Sequence, residues 1–212
     1  MAEPESARPS SPADGRLEQQ LRFLVEIDRL KTVRRRTLLT DRSRRENSAE
    51  HSWHIALMAL LLSEYAQPGL DVTRVVSMLL VHDLVEIDAG DTFAYDVSGN
   101  ASRVERERNA ADRIFGLLPD DQHAMVRALW NEFEAGETPE ARFAVAVDRL
   151  QPLLQNVMAS GGTWRSHGVT MEQVLERMSP LAAACPTLWR YAEWAVTEVW
   201  VSGMVRDPEA EP

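Results

Sequence analysis

The chain of 212 residues is long enough for one domain with a stable core, and 44% hydrophobic with 26% charged residues is ordinary for a soluble globular protein. A net charge of −10 disfavours nucleic-acid polymers and anionic membranes as partners, although an arginine and a metal can reverse the field inside one pocket. Cys185 is the only cysteine, which excludes an intrachain disulfide and a zinc ribbon; with no apolar run approaching the ~18 residues of a membrane span, a cytoplasmic protein is expected.

The segment MAEPESARPSSPADG is polar and proline-rich and lacks the apolar core of a signal peptide. Residues 1–15 and 206–212 read as disordered tails around a single domain over 16–205. The pattern between them is helical, so an all-α fold is expected, with scarce strand-like alternation. Leu17, Leu21, Leu24, Ile27 and Leu30 lie at helical spacing from about Arg16 to Val33. A basic loop, RRRTLLTDRSRREN, follows. Asn47 with Glu50 three residues on predicts a capping box for the next helix. That helix, HSWHIALMALLLSEYA, is apolar on every side and is expected to be central and buried. Asp71 caps a third helix, which runs through VTRVVSMLLVHDLVEID to a stop at Gly90.

A polar loop, TFAYDVSGN, leads to a charged helix over about Ala101–Leu118. Asp120 or Asp121 opens the next helix, and Pro139 starts another that carries Pro152 inside it, a kink or a lost hydrogen bond. The glycine-rich stretch SGGTWRSHGV reads as a loop before a short helix over Met171–Met178. A last helix is expected from Pro186 to Val205. Leu188, Trp189, Trp194, Val196, Val199 and Trp200 give that helix more apolar surface than one core face needs, which predicts a homodimer.

Chemistry concentrates in the middle of the chain. His82 and Asp83 end an apolar run, and neighbours on a helix point about 100° apart, so the two can embrace one ion. Glu86 shares their face, and Asp88 and Asp91 follow; so many acids beside an apolar wall need a cation or water. Asp88 also fits a solvated helix end. His51 and His54 sit three apart in the second helix, and either fits as a ligand or as a core histidine. Asp148, inside FAVAVDRL, is costly unless it is paired with an arginine or bound to metal. Imidazole and carboxylate donors together suit a divalent transition metal rather than calcium.

In the order His51, His82-Asp83, Asp148 the sequence resembles the HD-domain metal-dependent phosphohydrolases, and specifically the branch that contains bacterial 5′-deoxynucleotidases and HD-domain-containing protein 2. The segments NSAEHSWHIALMA, VHDLVEIDAGDT, ERERNAADRIFGLLP and LWNEFEAGETPEARFAVAVDRLQPLLQ carry the likeness. The resemblance implies a helical HD domain holding one divalent metal (Mn, Co, Fe, Zn or Mg) on His51, His82, Asp83 and Asp148, which selects His51 over His54. It implies that Glu86 orients or activates the attacking water, and that Asp91 lies near the sugar 3′-hydroxyl and the leaving oxygen. It places the phosphate-binding arginine at Arg36, with the neighbouring arginines one register away. Thr37 stands where bacterial relatives carry a tryptophan that helps exclude a 2′-hydroxyl, unless Trp53, Phe93 or Trp164 fills the space. The loop residues Trp164, Arg165 and His167 fit either the site or a subunit contact.

The activity implied is hydrolysis of nucleoside 5′-monophosphates, deoxy or ribo, to nucleoside and phosphate by metal-activated water. The alternatives are an HD-type phosphodiesterase or pyrophosphohydrolase, which often needs extra histidines for a second metal, and a non-catalytic nucleotide-binding protein that keeps its metal for stability. Five histidines in all leave few for a second centre.

Overall fold

A computed structural model of the protein describes residues 15–96 and 102–208. The expected tails at 1–14 and 209–212, and the expected helix start at Ala101, lie outside the described residues. Helix α1 (Gly15–Ile27) is followed by a short 3-10 turn, then by strands β1 (Arg34–Leu38) and β2 (Arg45–Asn47). Helices α2 (Ser48–Leu62) and α3 (Val72–Val81) come next, with a 3-10 turn (His82–Val85) and the single turn α4 (Glu86–Ala89). Then follow α5 (Arg103–Phe115), α6 (Asp120–Ala135), α7 (Pro139–Met158), α8 (Gly162–His167), α9 (Met171–Met178), α10 (Pro180–Ala184) and α11 (Pro186–Val201). The fold is all-α apart from the two strands.

The strands correct one expectation. The basic segment is an antiparallel hairpin, with Arg34 opposite Asn47 and Leu38 opposite Arg45, not a loop. Its alternation is hidden because the alternating residues are arginines: Arg34 and Arg36 face solvent while Arg35 and Thr37 turn inward. The hairpin hands the chain directly to α2. Asn47 accepts from the Glu50 backbone N–H at 3.0 Å, and Glu50 reaches back to the Asn47 backbone at 3.2 Å. Such a cap contributes about 1 kcal/mol and fixes where α2 begins.

Two apolar clusters meet around the middle of the chain. One gathers α2, α3, α7 and the C-terminal helices around Ile55, Met78, Leu79, Phe143 and Leu181. The other gathers α1, α5 and the first half of α6 around Leu84, Ile114, Phe115 and Trp130. The segment from α3 to α4 passes from one cluster to the other, so His82 and Asp83 sit at the seam. The helix expected to run unbroken to Gly90 tightens there into a 3-10 turn, which spaces successive side chains more widely than an α-helix does. Gly90, at φ +75°, then turns the chain so that Asp91 comes back against β1.

Three further expectations change. Helix α2 is not buried all round: Ile55 and Ala59 are sealed, but Trp53 is 63% exposed, and Leu57, Leu60 and Leu61 share its outer surface. The glycine-rich stretch contains helix α8, whose Trp164 is buried against Trp200. The C-terminal segment stays packed beyond Val205. Asp207 accepts from the Met171 backbone and from the Trp200 indole, at 3.0 and 2.9 Å.

Candidate metal centre

Helix α2 brings in His51, the 3-10 turn brings His82 and Asp83, and α7 brings Asp148. Donor atoms of His51, His82 and Asp83 lie within 4.8 Å of one another, and all three residues are buried. Asp148 Oδ1 is 2.9 Å from His51 Nε2 and 3.7 Å from His82 Nε2. His82 Nε2 is also 2.9 Å from Asp83 Oδ1. The four residues therefore converge from three elements. His54 does not join them; its Nδ1 lies 3.2 Å from Gln151 Nε2 on the far side of that glutamine.

The far nitrogens of the two histidines decide what the near ones can do. His82 Nδ1 lies 2.9 Å from the Leu79 carbonyl, which accepts only from an N–H. His51 Nδ1 lies 3.0 Å from Gln151 Oε1. That amide cannot be turned round, because its Nε2 donates to Glu46 Oε1 at 2.7 Å. Both neutral rings thus carry the proton on Nδ1 and aim an Nε2 lone pair at carboxylate oxygens. His82 Nε2 is buried with no hydrogen-bond partner. Lone pairs facing carboxylates in a buried site call for a cation between them, and orienting the far nitrogen in this way is how proteins prepare histidine ligands. The donor set fits a divalent metal.

Electrostatics give the same answer. For His82, burial favours the neutral ring, but Asp83 and Asp148 outweigh it and raise its proton affinity well above the usual imidazole range. Burial likewise pushes Asp83 and Asp148 up. His82 and Arg35 overcome it at Asp83, and the imidazoles of His51 and His82 overcome it at Asp148, so both carboxyls are held low. When His82 is protonated, that proton supplies the positive charge that a metal would supply here.

Around these four residues lie the groups expected to act on substrate. Glu86 is buried and accepts the Ser48 hydroxyl at 2.6 Å. Burial and the neighbouring Asp83 raise its carboxyl well above the ordinary range. Asp91 is raised by burial, against the pull of Arg35 and a hydrogen bond from the Arg36 backbone. Asp88, by contrast, pairs with Arg113 at the surface and takes no part.

Sequence reasoning underrated Arg35 and missed Glu46 and Gln151. The Arg35 guanidinium donates to Asp83 Oδ2 at 2.8 Å and approaches Glu46 Oε2 at 3.7 Å. Arg36 points outward but lines the cavity that opens from the site. Thr37 lines it too, its hydroxyl buried without a partner. Further walls are Asp91, Phe93, Tyr95 and Trp164. Of the expected loop residues, only Trp164 lines this cavity; Arg165 is exposed, and His167 packs on Phe93 with ring centroids 4.7 Å apart.

Residues 27–189 match the family described as HD domain. The chain belongs to the HD-domain family. A solved relative, a predicted metal-dependent phosphohydrolase from Magnetospirillum magnetotacticum, is 55% identical, with a TM-score of 0.87 over 91% of this chain and 96% of its own. The cattle protein named 5′-deoxynucleotidase HDDC2 is 30% identical over 152 residues, 71% of this chain and 73% of that protein. Its zebrafish counterpart is 29% identical over 140 residues, 66% and 68% of the two chains. Among the described residues no helix is long and apolar enough to cross a membrane.

Proposed function

We propose that this HD-domain protein is a metal-dependent phosphomonoesterase that hydrolyses nucleoside 5′-monophosphates to nucleoside and phosphate. The observation that carries the reading is the convergence of two Nε2 lone pairs and two carboxylates beside an aromatic-walled cavity with arginines at its mouth. The names of the HDDC2 relatives supply the substrate class.

In this reading His51, His82, Asp83 and Asp148 hold one divalent ion. Such an ion supplies charge to the phosphoryl group and makes water a stronger acid. Glu86, whose buried carboxyl has a raised proton affinity, positions the attacking water and takes its proton. Arg36 meets the phosphate from the cavity wall. Arg35, whose guanidinium donates to Asp83 Oδ2 and also lines the cavity, meets it from inside. Guanidinium forks match the geometry of phosphate oxygens. Asp91, at the end of α4, faces the sugar and the leaving oxygen. The order of bond changes follows: water oxygen bonds to phosphorus as Glu86 takes a proton from it, the P–O bond to the 5′-carbon's oxygen breaks, and that oxygen leaves as the nucleoside hydroxyl on taking a proton from Asp91, which the proton held on Glu86 replaces.

A homodimer and a cytoplasmic setting complete the proposal. The exposed Trp53, Leu57, Leu60 and Leu61 offer the dimer a more continuous apolar surface than α11 does, since Leu188, Val196 and Val199 are spent in the core. The test is phosphate release from deoxy- and ribonucleoside monophosphates with Mn²⁺ or Co²⁺, against a chelated control and against a phosphodiester. Turnover of the diester alone replaces this reading with the phosphodiesterase one. Metal binding with no turnover of either replaces it with a binding protein.

A further inference from the structure

Two further arginines, Arg149 and Arg177, line the cavity together with Tyr95 and Trp164, and the chemistry above does not use them. Arg149, one residue after Asp148 on α7, donates from Nη1 to the Arg177 backbone carbonyl at 2.7 Å, which ties α7 to the end of α9. Both side chains line the cavity that begins at Arg35 and Asp91. Among the described residues neither guanidinium has a carboxylate within ion-pair distance; Asp148 is turned to His51, and Glu134, which shares a neighbouring cavity with the arginines, faces Arg103 at 3.7 Å.

Among the other polar groups around them, Asn156 is already committed. Asn156 Oδ1 accepts both the backbone N–H and the hydroxyl of Thr163, each at 2.7 Å, and its Nδ2 donates to the Pro152 carbonyl at 2.9 Å. Burial raises the Tyr95 phenol above its usual range, so it stays a neutral hydroxyl here. Beside that hydroxyl the side chains leave free a pair of guanidiniums, which donate and cannot accept. Tyr95 and Trp164 beside them are flat and apolar, a surface on which a base can stack.

Resting on the nucleotidase reading, we propose that Arg149 and Arg177 read the base of the nucleotide and favour oxo bases over amino bases. Guanine offers N7 and O6, both acceptors, and thymine and uracil offer O4. Adenine and cytosine place an amino group where the oxo bases place O6 or O4, so the donor aimed at that position is left unpaired even where adenine N7 still accepts, and an unpaired polar group is how a pocket discriminates most strongly. Hypoxanthine, with the acceptors of guanine, groups with the favoured bases.

The test compares kcat/KM for dGMP, dTMP, dAMP and dCMP, with binding of the same four nucleotides to metal-free protein measured by calorimetry. Native protein is expected to favour dGMP over dAMP by roughly tenfold or more in both measurements. In Arg177→Gln, whose amide both donates and accepts, the ratio should fall toward unity or favour adenine. Arg190→Gln, an exposed change on α11, should leave the ratio unaltered. Equal handling of all four bases by the native chain overturns the inference. So does an Arg177→Gln variant that weakens all four equally, because the pair then holds phosphate and not base. If no nucleotide is hydrolysed, the nucleotidase reading falls, and the metal-free binding ratios still decide whether these arginines recognise oxo bases.

Discussion

Gln151→Met removes the group that sets the orientation of His51 while nearly keeping its volume. Gln151 is 0% exposed, with its carbonyl 3.0 Å from His51 Nδ1 and its amide nitrogen 2.7 Å from Glu46 Oε1. Methionine can neither accept from the imidazole nor donate to the carboxylate. The His51 N–H then loses its partner in a dry site, and Glu46 Oε1 keeps only Gln155, at 2.9 Å. Each buried polar group left unpaired costs about 1–3 kcal/mol, and about 1 kcal/mol lowers Tm by roughly 2–4 °C in a chain of this size. A drop of roughly 4–10 °C in the metal-free protein is therefore expected. Loss of a partner behind a ligand typically weakens metal binding about 10- to 100-fold, because His51 can now turn or exchange its tautomer. Calorimetric Mn²⁺ titration measures the affinity, and nitrogen NMR of the imidazoles reports the tautomer. Gln155→Met is the control: it touches the same Glu46 oxygen but not His51, so it should lose stability and keep metal affinity. A Gln151→Met protein that binds metal within about twofold of native, with the His51 proton still on Nδ1, refutes the reasoning.

Asp83→Ala should abolish hydrolysis and metal binding, and it leaves the largely buried Arg35 without its closest partner, a loss of about 3–5 kcal/mol visible in a thermal melt; native turnover by this variant removes Asp83 from the ligand set. Glu86→Gln should keep metal affinity within a few-fold while turnover falls about 10²- to 10⁴-fold, and metal loss in that variant makes Glu86 a ligand. Thr37→Trp should raise the dAMP over AMP ratio of kcat/KM about tenfold, because the small side chain with its unpartnered hydroxyl leaves room for a 2′-hydroxyl; an unchanged ratio places sugar selection on another wall. Glu107, on the buried face of α5, has one oxygen unpartnered, and burial lifts its carboxyl to about 7, against the pull of Arg103. Its folded pKa is thus above the unfolded one, so its favourable contribution is complete below about pH 4.5 and is lost as pH rises through 7. Glu107→Gln should therefore melt higher than native at pH 8, by about 1–2 kcal/mol after allowance for screening, and no higher at pH 4.5; equal gains at both pH values exclude the charge as the cause.

Where the chain forms long helices, periodicity and capping chemistry were enough to place them. Asn47 with Glu50, Asp71, Thr170 with Gln173 and the helix-starting Pro139 all act locally, within a turn of the residues they control. The hairpin over 34–47 was opaque for the opposite reason. Apolar-polar alternation marks a strand only when its inward residues are apolar, and here the inward residues are Arg35, Thr37 and Glu46, directed at a charged site. The outer surface of α2 was opaque too. Apolarity on every side says that a helix wants covering, and it does not say whether the same chain supplies the cover; Trp53 and Leu61 are left exposed by the described residues.

The site divides along a similar line. Residues that would touch an ion directly are limited to a few chemical types, so His82, Asp83 and Asp148 stand out against their apolar surroundings in sequence. Residues that hold those ligands in place are not so limited. Gln151 lies three positions after Asp148, on a neighbouring face of α7, and nothing in a glutamine inside a helix announces that it fixes a tautomer 100 residues away. The choice between His51 and His54 shows what the structure adds. Both histidines lie near Gln151, and residue type and spacing treat them alike, so that only the family resemblance favours His51. The amide resolves them because Glu46 occupies its nitrogen, so its single carbonyl is presented to His51, and only the histidine that meets that carbonyl is left with a lone pair facing Asp148. An acid on a short strand therefore orients His51 on α2, the proposed ligand, through a glutamine on α7, a relation among three elements that exists only once the hairpin has folded against the helices.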